Sequence, residues 1–260
     1  MTVPGVPGRP TTGAQVSRSE KRREARQAES GGNSNTLFYV LGAVAVVGIG
    51  VVAYNAGASA FSSAATAPIE LDISSDEELV ALAQGVSLGD PSAPVTILEF
   101  GDYQCPGCAA FALQAKPPIQ QQLIDTGEAE FVFYDFPLIS IHPNAFFAAR
   151  AARCAGEQGA YWEYHDLLFR NQPRWSPANL PSSAFEDYAA EVGIDEGDFS
   201  SCLNSDRFAD VVTANMELGN RMSVGSTPTV LINAGGQTRS LNAYDMGSIR
   251  DAIDAMTGGN

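Results

Sequence analysis

The sequence predicts an α/β domain with an inserted helical subdomain, preceded by one N-terminal transmembrane helix. Three observations predict it. Eighteen consecutive uncharged residues, mostly Val, Ala, Gly and Leu, run from Leu37 to Tyr54. A strand, a helix and a second strand follow one another between Val95 and Tyr134, which implies a parallel pair with a crossover. A hairpin and a last helix close the chain after a long helical stretch punctuated by Pro173, Pro177, Pro181 and Gly193.

The uncharged run is about the length that a helix needs to cross a hydrocarbon core. The competing reading is a cleaved signal peptide, for which Ala58-Ser59-Ala60 would be the small-residue cleavage site. Against it, the polar region ahead of the run is 36 residues long, and the run exceeds the usual apolar stretch of roughly 7 to 15 residues. Arg18, Lys21, Arg22, Arg23 and Arg26 lie on its N-terminal side, so that end should stay cytoplasmic and the remainder lie outside. The expected organisation is a disordered tail over 1–36, a transmembrane helix over 37–55 and an Ala/Ser-rich linker over 56–75. A domain over 76–258 follows, with its helical insertion at about 138–224.

With 260 residues, 45% hydrophobic and 17% charged, the chain is too apolar to be disordered throughout and long enough for one sizeable domain. The net charge of -15 is unevenly spread. The first 36 residues carry six Lys/Arg against three Asp/Glu, leaving nine against 27 for the rest. That acidic external part offers no basic face for phosphates, which excludes nucleic acid as a partner class.

Within the external part, Val95-Thr96-Ile97-Leu98-Glu99-Phe100 is a β-branched, apolar run bounded by Pro94 and Gly101, and predicts a buried strand. Pro106 suits a first helical turn, and Ala109 to Ile124 has apolar residues at helical spacing. Pro117 and Pro118 predict a kink or restart there. Glu130 to Tyr134 predicts the second strand. Thr229 to Ile232 and Gln237 to Leu241, joined through Asn233-Ala234-Gly235-Gly236, predict the hairpin, with a final helix from about Asp245 to Met256.

The chemistry sits at the strand-to-helix junction, in Cys105-Pro106-Gly107-Cys108. Two cysteines at this spacing can close a small disulfide and present one sulfur at a helix start, where unpaired N–H groups and the helix dipole favour a thiolate. Cys105 takes that place; Cys108, a turn further in, should be buried. A stable thiolate leaves readily, which makes the disulfide an oxidant. A zinc half-site and a purely structural disulfide are the alternatives. For zinc, the remaining candidates Cys154, Cys202, His142 and His165 are scattered without a second close pair, so no metal and no bound cofactor are expected.

Glu99-Phe100-Gly101-Asp102-Tyr103-Gln104-Cys105-Pro106-Gly107-Cys108, with the later Gly225-Ser226-Thr227-Pro228-Thr229, resembles the thioredoxin superfamily and, within it, the DsbA-like oxidoreductases with a helical insertion. The resemblance covers roughly Glu70 to Met256. It implies a thioredoxin-like fold, a cis Thr227-Pro228 bond facing the Cys105 sulfur, and a Thr227 backbone free to pair with an extended substrate. It also implies a buried carboxylate beneath the site, which Glu99 matches; buried, Glu99 would have a raised pKa and could exchange a proton with Cys108. A surface or ion-paired Glu99 is the blander alternative. The best-known oxidases of the family carry His where Gly107 stands, so a less strongly oxidising couple is expected here.

Cys154 and Cys202 fall in two predicted helices, Ala145 to Gly156 and Asp198 to Asn204. Once Cys105 pairs with Cys108, only one further disulfide is available to an even count, and relatives of this kind carry a comparable bridge; two buried free thiols are the alternative. His142 and His165 are expected to be structural, because thiol exchange needs no imidazole base. Trp162, Tyr164, Leu167, Leu168 and Phe169 read as core of the insertion. The function expected is disulfide donation to reduced or unfolded secreted proteins, with reoxidation by a quinone-linked membrane protein of the DsbB or vitamin K epoxide reductase type. Isomerase or reductase activity, and a non-catalytic binding or metal-carrier module, are the rivals.

Overall fold

The computed structural model describes residues 64–241 and 245–257. The expected tail, the transmembrane helix and the first part of the linker lie outside the described residues. Among those described, no helix is long and apolar enough to cross a membrane.

Residues 64–75 form no helix or strand, yet they are tied down. The Arg150 guanidinium donates to the Ala65 carbonyl at 2.8 Å, and the Ile69 N–H donates to Thr213 Oγ1 at 3.2 Å. Helix α1 (Asp76–Leu82) starts where Ser75 Oγ accepts the Glu78 N–H and the Glu78 carboxylate accepts the Ser74 N–H at 2.7 Å, a reciprocal cap on orphan donors. The short strand β1 (Val86–Leu88) follows, then β2 (Val95–Gly101).

Helix α2 begins as Pro106–Ala110 and continues without a break through Phe111–Ala115, Lys116–Ile119 and Gln120–Ile124. The sequence predicted a kink or restart at Pro117 and Pro118. Instead the helix widens into π turns on either side of the prolines, with Lys116 N–H reaching back to the Phe111 carbonyl. A wider turn carries the preceding carbonyls away from rings that cannot donate to them.

Strand β3 (Ala129–Asp135) lies parallel to β2, as the crossover requires. The helices α3 (Ala145–Gly156), α4 (Tyr161–Arg170), α5 (Gln172–Trp175), α6 (Ser182–Val192), α7 (Glu196–Leu203) and α8 (Ala209–Arg221) come next. Strands β4 (Thr229–Ala234) and β5 (Gln237–Leu241) and helix α9 (Met246–Thr257) complete the domain. The sheet order is β1-β3-β2-β4-β5, with β4 antiparallel to β2 and to β5.

Central β2 is covered on both faces, which is why it reads as an almost continuous apolar run. Val95 and Ile97, with Phe131 and Phe133 of β3, join a core that includes α2, α3 and α4, while Phe100 packs with Phe136, Val224 and Leu231 on the opposite face. Strand alternation puts Glu99 on the first face, facing the inserted helices. Cys154 of α3 and Cys202 of α7 form a disulfide within that core. Of the aromatic run in α4, Tyr164, Leu167, Leu168 and Phe169 are buried; Trp162 is half-buried, its indole N–H donating to the Ser87 carbonyl of β1 at 2.9 Å.

Candidate active site

Strand pairing assembles the site. β2 ends at Gly101 and the chain turns through 102–105 into α2, while β4 starts at Thr229 opposite Phe100. The residues just before β4 are thereby brought to the start of α2. The Thr227-Pro228 bond is cis, and the Cys105 thiol donates to the Thr227 carbonyl at 3.3 Å. Cys105 is the N-cap of α2 in an extended conformation, with Pro106 at the first helical position, where a missing N–H is no loss. Its surface is 9% exposed, against 0% for Cys108.

The two sulfurs are unequal. Cys105 has its pKa lowered to about 5, first by a hydrogen bond from Cys108, then by Thr227 and the N–H groups of Cys108 and Gly107, all against a burial penalty. The contact with the Thr227 carbonyl favours the thiol. The Thr227 hydroxyl, whose oxygen is buried without another partner, acts the opposite way and favours the thiolate. Cys108 is pushed far above the usual thiol range by burial, with Cys105 and the charge of Glu99 adding to it, although the Asp102 N–H donates to its sulfur at 3.3 Å. One sulfur is therefore held as an anion while the other keeps its proton.

Glu99 is fully buried, and neither carboxylate oxygen has a hydrogen-bond partner. Burial raises its pKa to about 8, opposed by the charge of Lys116 and reinforced by that of Cys105. Gly101 is required beside it: a Cβ there would meet the Phe133 ring at 2.3 Å and Glu99 Oε1 at 3.1 Å. Lys116 is also buried, its ammonium 2.9 Å from Asp166 and 4.9 Å from the Trp162 ring centroid.

The profile of the family described as thioredoxin matches residues 82–254 of this chain. The chain belongs to the thioredoxin family. Within the family, several of the proteins that it is similar to are named for disulfide bond formation. Disulfide bond formation protein D of Bacillus subtilis is 31% identical over 153 residues, 56% of this chain and 66% of that protein. The crystal structure of oxidised BdbD from Bacillus subtilis superposes with a TM-score of 0.59 at 28% identity, covering 66% of this chain and 92% of that one. A protein named Na(+)/H(+) antiporter NhaA 1, from Salinispora arenicola, is 34% identical over 171 residues. The chain spans only 24% of that relative's length and 21% of a second antiporter's.

In this thioredoxin-family site the turn before Cys105 is held by a network of polar groups. Asp102, buried, accepts the Gln104 N–H at 2.7 Å, the Leu138 N–H at 2.8 Å and a hydrogen bond with His142 Nδ1 at 2.7 Å. Gln104 accepts the Asn144 N–H at 2.5 Å and donates to the Ser176 carbonyl at 3.0 Å. His165 is buried, with Nδ1 2.9 Å from the Tyr103 hydroxyl; burial, then the charge of Lys116, holds it neutral. The hydrogen bonds of both histidines thus go to the scaffold of the turn. Asp135 and Arg153 form a second buried pair at 2.6 Å on the same face of the sheet as Glu99.

Gly107 offers no imidazolium to the thiolate. Gly107→His is expected to lower the Cys105 pKa further and make the couple more oxidising, by about 20 mV for each ~1 kcal/mol of added thiolate stabilisation. Glutathione redox titration of both forms measures this, and an unchanged potential would discard the idea.

Proposed function

We propose that this chain is an extracytoplasmic protein thiol–disulfide oxidoreductase, acting mainly as an oxidase that donates the Cys105–Cys108 disulfide to reduced secreted proteins. The observation that carries the reading is the inequality of the two sulfurs at the start of α2: a partly accessible Cys105 stabilised as thiolate and a buried Cys108 that keeps its proton. A stabilised thiolate favours the reduced form of the pair, so the oxidised form gives its disulfide away.

In the forward reaction a substrate thiolate attacks the Cys105 sulfur of the oxidised protein. The Cys105–Cys108 bond breaks, a mixed disulfide forms on Cys105, and Cys108 leaves as a thiolate that takes up a proton. Glu99, with its carboxyl raised to about 8 by burial, is suited to supply that proton. The substrate's second thiolate then attacks its own disulfide-bonded sulfur, and Cys105 leaves as the stabilised thiolate. Two electrons have passed to the protein, which a quinone-linked membrane protein of the DsbB or vitamin K epoxide reductase type would remove.

The extracytoplasmic setting is supported by the uncharged run at 37–54 with basic residues before it and by the Cys154–Cys202 disulfide, a bond that persists in oxidising compartments. We place the chain as a single-pass membrane protein with its N-terminus cytoplasmic. Gly107 favours one second reading, isomerisation, since a milder couple suits reshuffling. The decisive experiment is Cys108→Ala, which blocks resolution of the mixed disulfide. Protein adducts on Cys105 that disappear with a reducing agent are expected. No adducts beyond those of a Cys105→Ser/Cys108→Ala control would sink the oxidoreductase reading, and a mostly reduced Cys105–Cys108 pair in growing cells would favour the isomerase.

A further inference from the structure

Gln172 opens the short helix α5 in the inserted subdomain, 67 residues from Cys105 in sequence. Its side chain is buried, 7% exposed, and its carboxamide nitrogen donates to two carbonyls of the active-site turn: Tyr103 at 2.7 Å and Cys105 at 3.0 Å. The Cys105 carbonyl also accepts the Ala109 N–H at 3.1 Å, the first backbone bond of α2, and the Cys105 N–H donates to the Asp102 carbonyl at 3.0 Å. Two donors on one carbonyl and a third contact two residues earlier leave the peptide planes of 103–105 little freedom to rotate.

The group that does the holding is itself fixed. The Gln172 carbonyl accepts the Ser176 N–H at 2.9 Å, Asn171 Nδ2 donates to the Leu167 carbonyl at 3.1 Å, and the Trp175 indole donates to the Leu168 carbonyl at 2.8 Å. Pro173 fixes the backbone in the first turn of α5. The chemical requirement is narrow. A carboxamide has two hydrogens and so serves two carbonyls at once without bringing a charge into the buried turn; a carboxylate in its place would set anionic oxygens against both.

We propose that Gln172 is a positioning residue for Cys105: it holds from the inserted helices the two carbonyls that set the turn, and so fixes the Cys105 sulfur against the start of α2 and Thr227. The inference rests on the reading of Cys105 as the exchanging sulfur. Gln172 does not touch the sulfur. It acts through the orientation of the N–H groups of Gly107 and Cys108, whose hold on an anion weakens with distance and angle. The same arrangement gives the insertion a role in tuning the redox centre.

The test is Gln172→Met, which keeps length and burial but removes the donor. Its Cys105 thiolate, followed by ultraviolet absorbance, is expected to titrate at higher pH than the wild-type value of about 5. Alkylation by iodoacetamide at pH 5 should slow about twofold, since a rise of about half a unit takes the thiolate fraction there from about a half to about a quarter. Gln172→Glu should shift the titration further in the same direction. A merely structural role would lower the melting temperature and leave the titration of the folded protein where it was, and that result overturns the proposal. Should Gln172→Met fail to fold, the side-chain amide signals of 15N-labelled wild-type protein decide. They are expected to move as Cys105 titrates, and indifference to that titration overturns the proposal too. A wild-type protein that exchanges no disulfides while Gln172→Met still moves the Cys105 titration would sink the proposed function and leave this inference standing.

Discussion

Replacing Glu99 with Leu is expected to make the protein more stable at neutral and alkaline pH while slowing its disulfide chemistry. The carboxyl lies buried with both oxygens unpaired, and burial raises its pKa to about 8 from an ordinary 4.5. Between those two values the unfolded chain has released the proton and the folded chain still holds it. Stability is therefore undiminished below the unfolded pKa and falls as pH rises toward the folded one, by about 3 kcal/mol at pH 7. Leu is of similar size and has no proton to lose, so the variant should escape this slope. Asp135, also raised by burial, contributes a slope of the same sign in both proteins. Neutral His165 contributes the opposite slope below its unfolded pKa near 6.5. Urea unfolding at pH 5 and pH 8 should show the Glu99→Leu midpoint near wild type at the lower pH and well above it at the higher. Equal midpoints at pH 8 would mean that Glu99 is solvated or paired after all. In stopped-flow exchange the variant should be about tenfold slower or more, since Cys108 loses its proton source.

That trade between stability and chemistry is the part of the site least visible in the sequence. The cysteine pair could be named from its spacing at a strand end and a helix start, whereas the roles of Thr227-Pro228 and Glu99 followed only from the family resemblance of the segments that carry them. Glu99 could be placed on a strand, but its lack of any partner depends on Phe133 and Gly101 closing around it, contacts set by the β2–β3 register. Gln172 leaves no mark at all, since the partners of its side chain are backbone carbonyls 67 and 69 residues away.

The fold divides the same way. Strands β2 and β3 and the β4–β5 hairpin stand out as β-branched runs between turn residues. β1, only three residues long, is too short for any periodicity. Helix α1 has a readable signal in Ser75-Asp76-Glu77-Glu78, a capping pattern at the boundary between the expected linker and the expected domain. Ile69, Leu71 and Ile73 alternate with acidic residues there, and Leu71 and Ile73 pack against a cluster of α1 and α8. The π turns around Pro117 and Pro118 were not readable. Prolines announce that the helix must adjust, and packing decides whether it bends or widens.

Removing the Cys154–Cys202 disulfide, as Cys154→Ala/Cys202→Ala, is expected to cost about 4 kcal/mol, the chain-entropy value for a loop closed across 48 residues. The loss should exceed that from any single surface ion pair, because a domain of this kind has a net stability of only about 5–15 kcal/mol. The bond joins α3 to α7, and α3 holds much else. Arg150 grips the carbonyls of Ala65, Ser205 and Arg207, and Arg153 meets Asp135 in the core. The end of α3 that serves the active site is Asn144, ten residues from Cys154 and therefore about 15 Å along the helix. The double variant should accordingly unfold at a much lower urea concentration while its Cys105 thiol, in the folded protein, titrates as in wild type. A loss below about 1 kcal/mol would mean that the unfolded chain gains little freedom when the bond is removed. Against a net stability of about 5–15 kcal/mol, a loss of that size narrows the margin of the folded state without abolishing it, so the redox centre stays assembled while the domain that carries it becomes easier to unfold.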